Sequence, residues 1–163
     1  MKQTIIAVIC FLCVSSLYIQ AQKINHPSLL YTPQRIQQVK QRMQHEPKLQ
    51  EAWGDIKRTA DEALQKKDFN RLDYLSLAYL MTDNKEYADV IKEILLKTVE
   101  AESWGDVEMM ARIPAWRSQL GMAHKSFLSA VGYDAAYNVM SSSERKKIAE
   151  GLKRLAVEPA LGD

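Results

Sequence analysis

The stretch Asn84-Lys-Glu-Tyr-Ala-Asp-Val-Ile-Lys-Glu-Ile-Leu-Leu-Lys-Thr-Val99 decides the fold class of this chain. Asn84 is a preferred N-cap residue, because its side-chain oxygen can accept a hydrogen bond from a free N–H of the first helical turn. In the residues that follow, an apolar side chain recurs every three or four positions, which is the spacing of an amphipathic α-helix. The predicted buried face consists of Tyr87, Val90, Ile91, Ile94, Leu95, Thr98 and Val99.

The sequence before this stretch predicts three more helices. Thr32 and Pro33 are typical of an N-cap followed by proline at the first helical position, and we expect this helix to end at Glu46-Pro47. Apolar residues at helical spacing then predict a second helix at about 48–66 and a third at about 71–81. A short lead containing His26-Pro27 precedes them, and its proline favours an extended backbone.

The sequence after the stretch predicts two further helices. Residues 101–114 are irregular, and Pro114 is expected to open a fifth helix that runs to about Val139. Gly121 and Gly132 lie within that helix and each costs roughly 1 kcal/mol relative to alanine, so we expect close contacts between helices there. Ser141 to Glu144 is a capping-box pattern, which predicts a sixth helix that ends at Pro159.

No segment alternates apolar and polar residues for long enough to predict a strand. The chain is therefore expected to be all-α. Its predicted helices follow one another after short connections, which favours antiparallel helical hairpins.

The first 21 residues have the pattern of a signal peptide. Lys2 supplies a positive charge, residues 5–17 are apolar but too few to span a bilayer, and Ala21 is a suitable residue before the cleavage point. Cleavage after Ala21 predicts a periplasmic or secreted mature chain, residues 22–163, with no further membrane attachment. Both cysteines, Cys10 and Cys13, would leave with the peptide, so the mature chain would contain no disulfide or thiol nucleophile.

Charge and motif content exclude several classes of function. The formal net charge of the chain is only +2, which gives no general attraction to nucleic acid. A net charge this low is still compatible with a local basic patch that binds an acidic sugar. The three histidines, His26, His45 and His124, have no partner at metal-ligand spacing on a helix. There is also no phosphate-binding glycine loop and no serine nucleophile motif. We therefore predict no metal and no cofactor.

The segment 112–119 has the strongest sequence signal for ligand binding. Arginine can pair bidentately with a carboxylate, an indole ring can stack on a sugar, and the start of a helix favours anions. The alternative is that the tryptophan belongs to the core and the arginines are surface charges. Trp104 is expected to close the end of the helical bundle, and Asp134 to bond a neighbouring loop or helix end. The candidate substrate-binding residues are Arg112, Trp116, Arg117 and Gln119.

Three segments resemble the N-terminal region of the heparinase II/III-like polysaccharide lyases, a group that includes alginate lyases. The first is His-Pro-Ser-Leu-Leu-Tyr-Thr-Pro at 26–33, and the second is Trp53 in a helix that ends Ala-Asp-Glu-Ala-Leu at 60–64. The third is Gly-Tyr-Asp-Ala-Ala-Tyr at 132–137, followed by Met-Ser at 140–141 and Glu-Arg at 144–145. The chain departs from the family pattern at Ser28, where arginine is usual, and at 135–136, where bulkier residues are common.

The resemblance implies that the antiparallel hairpins form the first part of an incomplete (α/α) toroid. It also implies β-elimination on a uronic-acid-containing polysaccharide, with the proton at C5 removed by a base and the enolate-like intermediate stabilised by a neutralised carboxylate. The catalytic residues would then lie beyond Asp163, in a C-terminal part of the protein. Two alternatives stay open: an exported helical binding module without catalysis, and a fragment of a toroid-type glycoside hydrolase that uses two carboxylates.

Overall fold

Helices form all the regular secondary structure in the residues that the structure describes, which are 24–115 and 119–162 of this computed structural model. No strand occurs within those two ranges, so the all-α prediction is confirmed. The predicted signal peptide lies outside them. The six longer helices are α1 (Pro33–Met43), α2 (Pro47–Lys66), α3 (Leu72–Thr82), α4 (Lys85–Thr98), α5 (Leu120–Ala136) and α6 (Ser142–Leu152).

Local capping interactions fix several of the helix starts that the sequence predicts. The Thr32 hydroxyl accepts a hydrogen bond from the backbone N–H of Arg35, and the Asn84 side chain accepts one from Glu86. Ser141 and Glu144 form the complete capping box at the start of α6. Each of these bonds satisfies a backbone donor that the helix itself leaves free.

The core is centred on α3, which contacts α1, α2, α4 and α5. Only its last residue, Thr82, is exposed, because neighbouring helices cover α3 on every side. The second half of α5 is buried in the same way, whereas α2 and α4 each keep a solvated face. Each helix contacts both the next helix and the next but one along the chain. Residues of the resulting core include Ala60, Leu72, Leu75, Tyr87, Ile91, Leu95, Leu128 and Ile148.

Two predicted helix boundaries are wrong. α1 ends at Met43 rather than at Glu46-Pro47, and α5 begins at Leu120 rather than at Pro114. Gln119 is in an extended conformation before α5, and its side-chain oxygen accepts a hydrogen bond from the N–H of Asp106 at 2.7 Å. This contact fastens the residue before α5 to a distant loop residue.

The predicted end of the sixth helix is also displaced. After α6 the chain stays helical through a π-helical turn, Lys153–Val157, and a last turn, Glu158–Leu161. Pro159 lies in that last turn, two residues after the end of the π-helical turn, and the backbone of Val157 and Glu158 before it is helical. The helical path therefore extends two residues past the proline that was expected to stop it.

The close contacts expected at glycines occur at one of the two predicted positions. A Cβ atom at Gly132 would lie 3.3 Å from Ile91 and 3.4 Å from Leu72, so a helix does approach closely there. A Cβ at Gly121 would meet nothing within 4 Å, and the expectation for that residue is wrong. The tightest approach is at Gly151, where a Cβ would lie only 2.4 Å from the Cβ of Val99.

The N-terminal lead, residues 24–31, is fastened to α5 by Asp134. This side chain is only 4% exposed and accepts hydrogen bonds from the backbone N–H groups of Ser28 and Leu29, each at 2.8 Å. It also accepts one from the His26 ring at 2.5 Å. The prediction that Asp134 bonds a neighbouring loop is confirmed.

Candidate functional site

The predicted substrate-binding residues fall into three situations. Arg112 is exposed in the loop between α4 and α5. Gln119 is 8% exposed and positions that loop through its bond to Asp106. Trp116 and Arg117 lie outside the described residues. The structure thus gives Arg112 access to solvent and gives Gln119 a structural bond, and a joint substrate contact by the four residues stays a prediction.

Trp104 closes one end of the helical core, as the sequence predicts. Its side chain is only 5% exposed, and its indole N–H donates to the carbonyl of Thr98 at 3.4 Å. The segment Ser103–Trp104 separates two surface hollows that both include these residues. The smaller hollow, about 310 Å³, lies against Arg154 and the last helical turn.

The larger of these two hollows is a cleft of about 590 Å³ between α2, α4 and α5, here called the lysine cleft. Four lysines line it against a single glutamate, Glu93, so its lining is positively charged. Lys67 pairs with Glu93 at 2.7 Å, which neutralises one of the four. The other lining residues supply apolar surface and small hydroxyls. The lysines are Lys66, Lys67, Lys97 and Lys125, and the remaining residues include Phe69, Ile94, Thr98, Ala101, Ser103 and Trp104.

Arg154 holds the loop that forms one wall of the lysine cleft. Its guanidinium donates to the backbone carbonyls of Val99 at 2.9 Å, Ala101 at 3.0 Å and Glu102 at 3.0 Å. These carbonyls belong to the segment that follows the end of α4. One arginine from the C-terminal helical path therefore orders the segment that leads to Trp104.

A second polar cluster surrounds His26 and Asp134. The His26 ring stacks on Tyr137 with 3.8 Å between centroids, and the Arg145 guanidinium lies 4.8 Å from the same Tyr137 ring. Burial acts to raise the pKa of Asp134, but the hydrogen bonds from Leu29, His26 and Ser28 outweigh it and the pKa is lowered. The carboxylate form is thus stabilised where it fastens the lead.

A third cluster joins α2 to α4. Asp61 accepts hydrogen bonds from Lys57, at 2.7 Å, and from the hydroxyl of Tyr87. The hydrogen bond from Lys57 is the main reason that the pKa of Asp61 is lowered, and Tyr87 adds to it. Burial, followed by the bond to Asp61, raises the pKa of Tyr87. All three side chains are engaged with one another, so this cluster fastens two helices.

Metal and membrane signals are both lacking in the ranges 24–115 and 119–162. No group of three or more His, Cys, Asp and Glu side chains there is arranged to hold a metal ion. No helix in those ranges is both long and apolar enough to cross a bilayer.

The lysine cleft was missed by sequence reasoning. Its charges come from α2, α4 and α5, and helical spacing shows only that each lysine avoids the apolar face of its own helix. The folded contact between these helices is what brings the lysines to one depression. The observation that a local basic patch was compatible with the low net charge was the only available signal.

The two segments that carry most of the family resemblance meet in the structure. The lead at 26–33 is bound by Asp134, which belongs to the segment 132–137. Both segments therefore act in packing, with the buried carboxylate as their common centre. No protein-family model matches the sequence, and comparison with curated proteins returns no match, so membership of the lyase family stays a prediction.

Proposed function

We propose that this chain is the N-terminal helical part of an exported polysaccharide lyase, which cleaves uronic-acid-containing polysaccharides by β-elimination. In this proposal its helices form the first part of an (α/α) toroid. The catalytic base and acid come from helices that follow residue 163. The chain then contributes wall and substrate-binding surface to the enzyme.

The observation that carries the proposal is the order of helix contacts. Each helix packs on the next and on the next but one, so α3 lies beside α5 while α2, α4 and α6 follow one another. The buried helix α3 alternates with helices that keep a solvated face. Two such layers of alternating helices are the arrangement from which curved α/α superhelices are built.

An apolar surface that the described residues leave uncovered supports the presence of further helices in this arrangement. The first half of α5 and the last helical turn enclose a groove of about 770 Å³, here called the terminal groove. Leu120 is 87% exposed and Leu161 is 81% exposed at its edges. Contiguous apolar surface of this kind normally marks a contact with another element or partner. A next helix beside α5 would cover it.

A non-catalytic exported binding module is the second candidate. It is favoured by the lysine cleft, which is formed entirely by described residues and needs no further helix. On this alternative the chain would bind acidic polysaccharide and leave it intact. Both candidates share the same ligand class and differ in whether elimination occurs.

The test compares chain 22–163 with a chain extended along the reading frame past residue 163. Alginate, heparan and chondroitin are incubated with each, and unsaturated uronate product is followed by its ultraviolet absorbance. We expect product from the extended chain on one of these polymers and none from residues 22–163. Neutral dextran, which has no uronate, serves as the control and should give no product with either.

Three results would contradict the proposal. Reducing ends without unsaturated product would indicate a hydrolase. A stop codon directly after residue 163 together with binding and no cleavage would favour the binding module. Unsaturated product from residues 22–163 alone would place the catalytic groups within this chain.

A further inference from the structure

We propose that the lysine cleft is a binding subsite for one anionic segment of a saccharide chain, with Lys97 and Lys125 as its charge-binding residues. The ligand class rests on the proposed function, whereas the site rests on the charges and shape of the cleft. The subsite lies on the chain's own helices, whereas the proposed function assigns the catalytic groups to later helices.

The charge distribution separates two lysines from the others. Lys67 is paired with Glu93 at 2.7 Å, and Lys66 approaches Glu62 at 4.0 Å. Within the described residues, Lys97 and Lys125 form no ion pair. An ammonium that forms no ion pair in a concave surface is available to a carboxylate or sulfate group of a ligand.

Lys97 also has an electrostatic neighbour, Glu100. The pKa of Glu100 is lowered mainly by its hydrogen bond with Lys147, to which Lys97 adds a smaller attraction. Glu100 binds Lys147 at 2.8 Å, so its carboxylate is directed to that partner. Lys97 therefore keeps its own hydrogen-bond donors for a ligand.

The lining between these lysines suits a sugar ring. Phe69 is half-buried and offers an apolar face to the C–H groups of a pyranose. Thr98 and Ser103 line the same cleft, and their hydroxyls are of the kind that bonds to sugar hydroxyls. The volume of about 590 Å³ lies within the usual range of small-molecule clefts, roughly 300–1,000 Å³.

Arg154 makes this wall of the cleft stiff before a ligand arrives. Its three bonds to the carbonyls after α4 order the segment that carries Ser103 and Trp104. A site that is already ordered loses less conformational entropy when it binds. The geometry thus favours recognition by a preformed surface.

The experiment measures binding of residues 22–163 to four oligosaccharides by titration calorimetry. Mannuronate oligomers carry only carboxylates, dextran sulfate carries only sulfates, chondroitin sulfate oligomers carry both, and neutral dextran carries neither. Polyphosphate is added as a polyanion that is not a sugar. We expect binding to at least one acidic saccharide, weaker binding to polyphosphate and none to neutral dextran.

A matched pair of double variants locates the site. Lys97→Gln with Lys125→Gln should weaken binding by about tenfold, since each removes one charge-assisted contact. Lys48→Gln with Lys85→Gln removes the same charge from exposed residues outside the cleft and should change the affinity by less than about twofold. Equal weakening by both pairs would overturn the proposal, as would equal binding of polyphosphate or no binding at all.

A measurement on the unaltered chain also locates the bound oligosaccharide and does not require that the variants fold. Bound oligosaccharide should protect Lys97 and Lys125 from acetylation, read by mass spectrometry, while Lys48 and Lys85 stay reactive. Uniform protection of all four would contradict the site. Binding at the cleft without β-elimination by the extended chain would support the subsite and refute the lyase. β-Elimination without protection of Lys97 and Lys125 would support the lyase and refute the subsite.

Discussion

Gly151 lies where α6 comes closest to the end of α4. A Cβ at this residue would be 2.4 Å from the Cβ and 2.8 Å from Cγ1 of Val99, and neither of those atoms is the end of a flexible chain. Gly151→Ala is therefore expected to lower the free energy of unfolding by about 1–3 kcal/mol through overpacking. Urea denaturation followed by circular dichroism measures the change.

Gly54→Ala is the matched control for this prediction. Gly54 lies in α2, and a Cβ there would meet nothing within 4 Å. The substitution should raise the free energy of unfolding by up to about 1 kcal/mol, because alanine has the higher helix propensity. Equal effects of the two substitutions would show that contact with Val99 does not constrain residue 151.

Asp134 is expected to make the free energy of unfolding depend on pH. Its pKa is lowered in the folded chain, so the stabilisation by its carboxylate is complete above the unfolded value and is lost as pH falls through the folded value. Asp134→Asn should lower the free energy of unfolding by about 2 kcal/mol at pH near 6, because backbone donors lose a charged acceptor. The difference from the unaltered chain should shrink as pH falls through the lowered folded-state pKa of Asp134, because its carboxyl group is then neutral in both the folded and the unfolded chain.

Asp55→Asn is the control for that pH series. Asp55 is 64% exposed and pairs only with Arg58 on the surface of α2. Its substitution should change the free energy of unfolding by less than about 0.5 kcal/mol across the series. A difference for Asp134→Asn that stays constant down to the lowest pH would contradict the role of its charge.

At the scale of elements, Arg154 connects the C-terminal helical path to the end of α4. Arg154→Ala leaves the carbonyls of Val99, Ala101 and Glu102 without this donor. We expect the free energy of unfolding to fall by about 1–3 kcal/mol, and amide hydrogen exchange to become faster at Ser103 to Asp106. Exchange mass spectrometry measures the second effect directly.

Lys153→Ala separates this role from a general loss of charge. Lys153 is 70% exposed and approaches only Glu158, at 3.7 Å. Its substitution should leave exchange in the 103–106 segment unchanged. Faster exchange after both substitutions would mean that the α4 end responds to net charge and not to the three hydrogen bonds.

The elements also show which parts of the fold could be predicted from sequence. Thr32, Asn84 and Ser141 cap their helices through residues two or three positions away, so a local pattern contains the information. The residue before α5, Gln119, is instead bonded to Asp106, which lies thirteen residues away and has no periodic signal in the sequence. The sequence therefore predicts a start of α5 that is six residues too early.

The candidate sites also combine features that a local sequence pattern predicts with features that only the folded structure shows. Asp134 could be assigned a bonding role because it follows a tyrosine in a helix of apolar residues, but its partners in the lead follow only from the fold. The lysine cleft needs the relative placement of three helices, and amphipathic spacing fixes faces without fixing neighbours. Gly151 was overlooked for the same reason.

At the scale of the whole molecule, the terminal groove predicts how the isolated chain behaves. Residues 22–163 should bind an environment-sensitive apolar dye, because Leu120 and Leu161 are 87% and 81% exposed beside the groove. Leu120→Gln with Leu161→Gln should reduce dye fluorescence by at least about half, with little change in the free energy of unfolding. Fluorescence titration and urea denaturation measure the two quantities.

Ile113→Gln provides the control for dye binding. Ile113 is 100% exposed but does not line the groove. Its substitution should leave dye fluorescence unchanged. If all the substitutions reduced fluorescence equally, the dye would be reporting scattered surface residues and the groove would have no special affinity.

The attachment of the lead to Asp134 has a consequence during synthesis of the chain on the ribosome. His26 leaves the ribosome 108 residues before Asp134. At about 5–20 residues per second, the interval is roughly 5–20 s. Throughout that time the lead cannot form its hydrogen bonds with Asp134. The lead can be attached to Asp134 only after α5 has been synthesised.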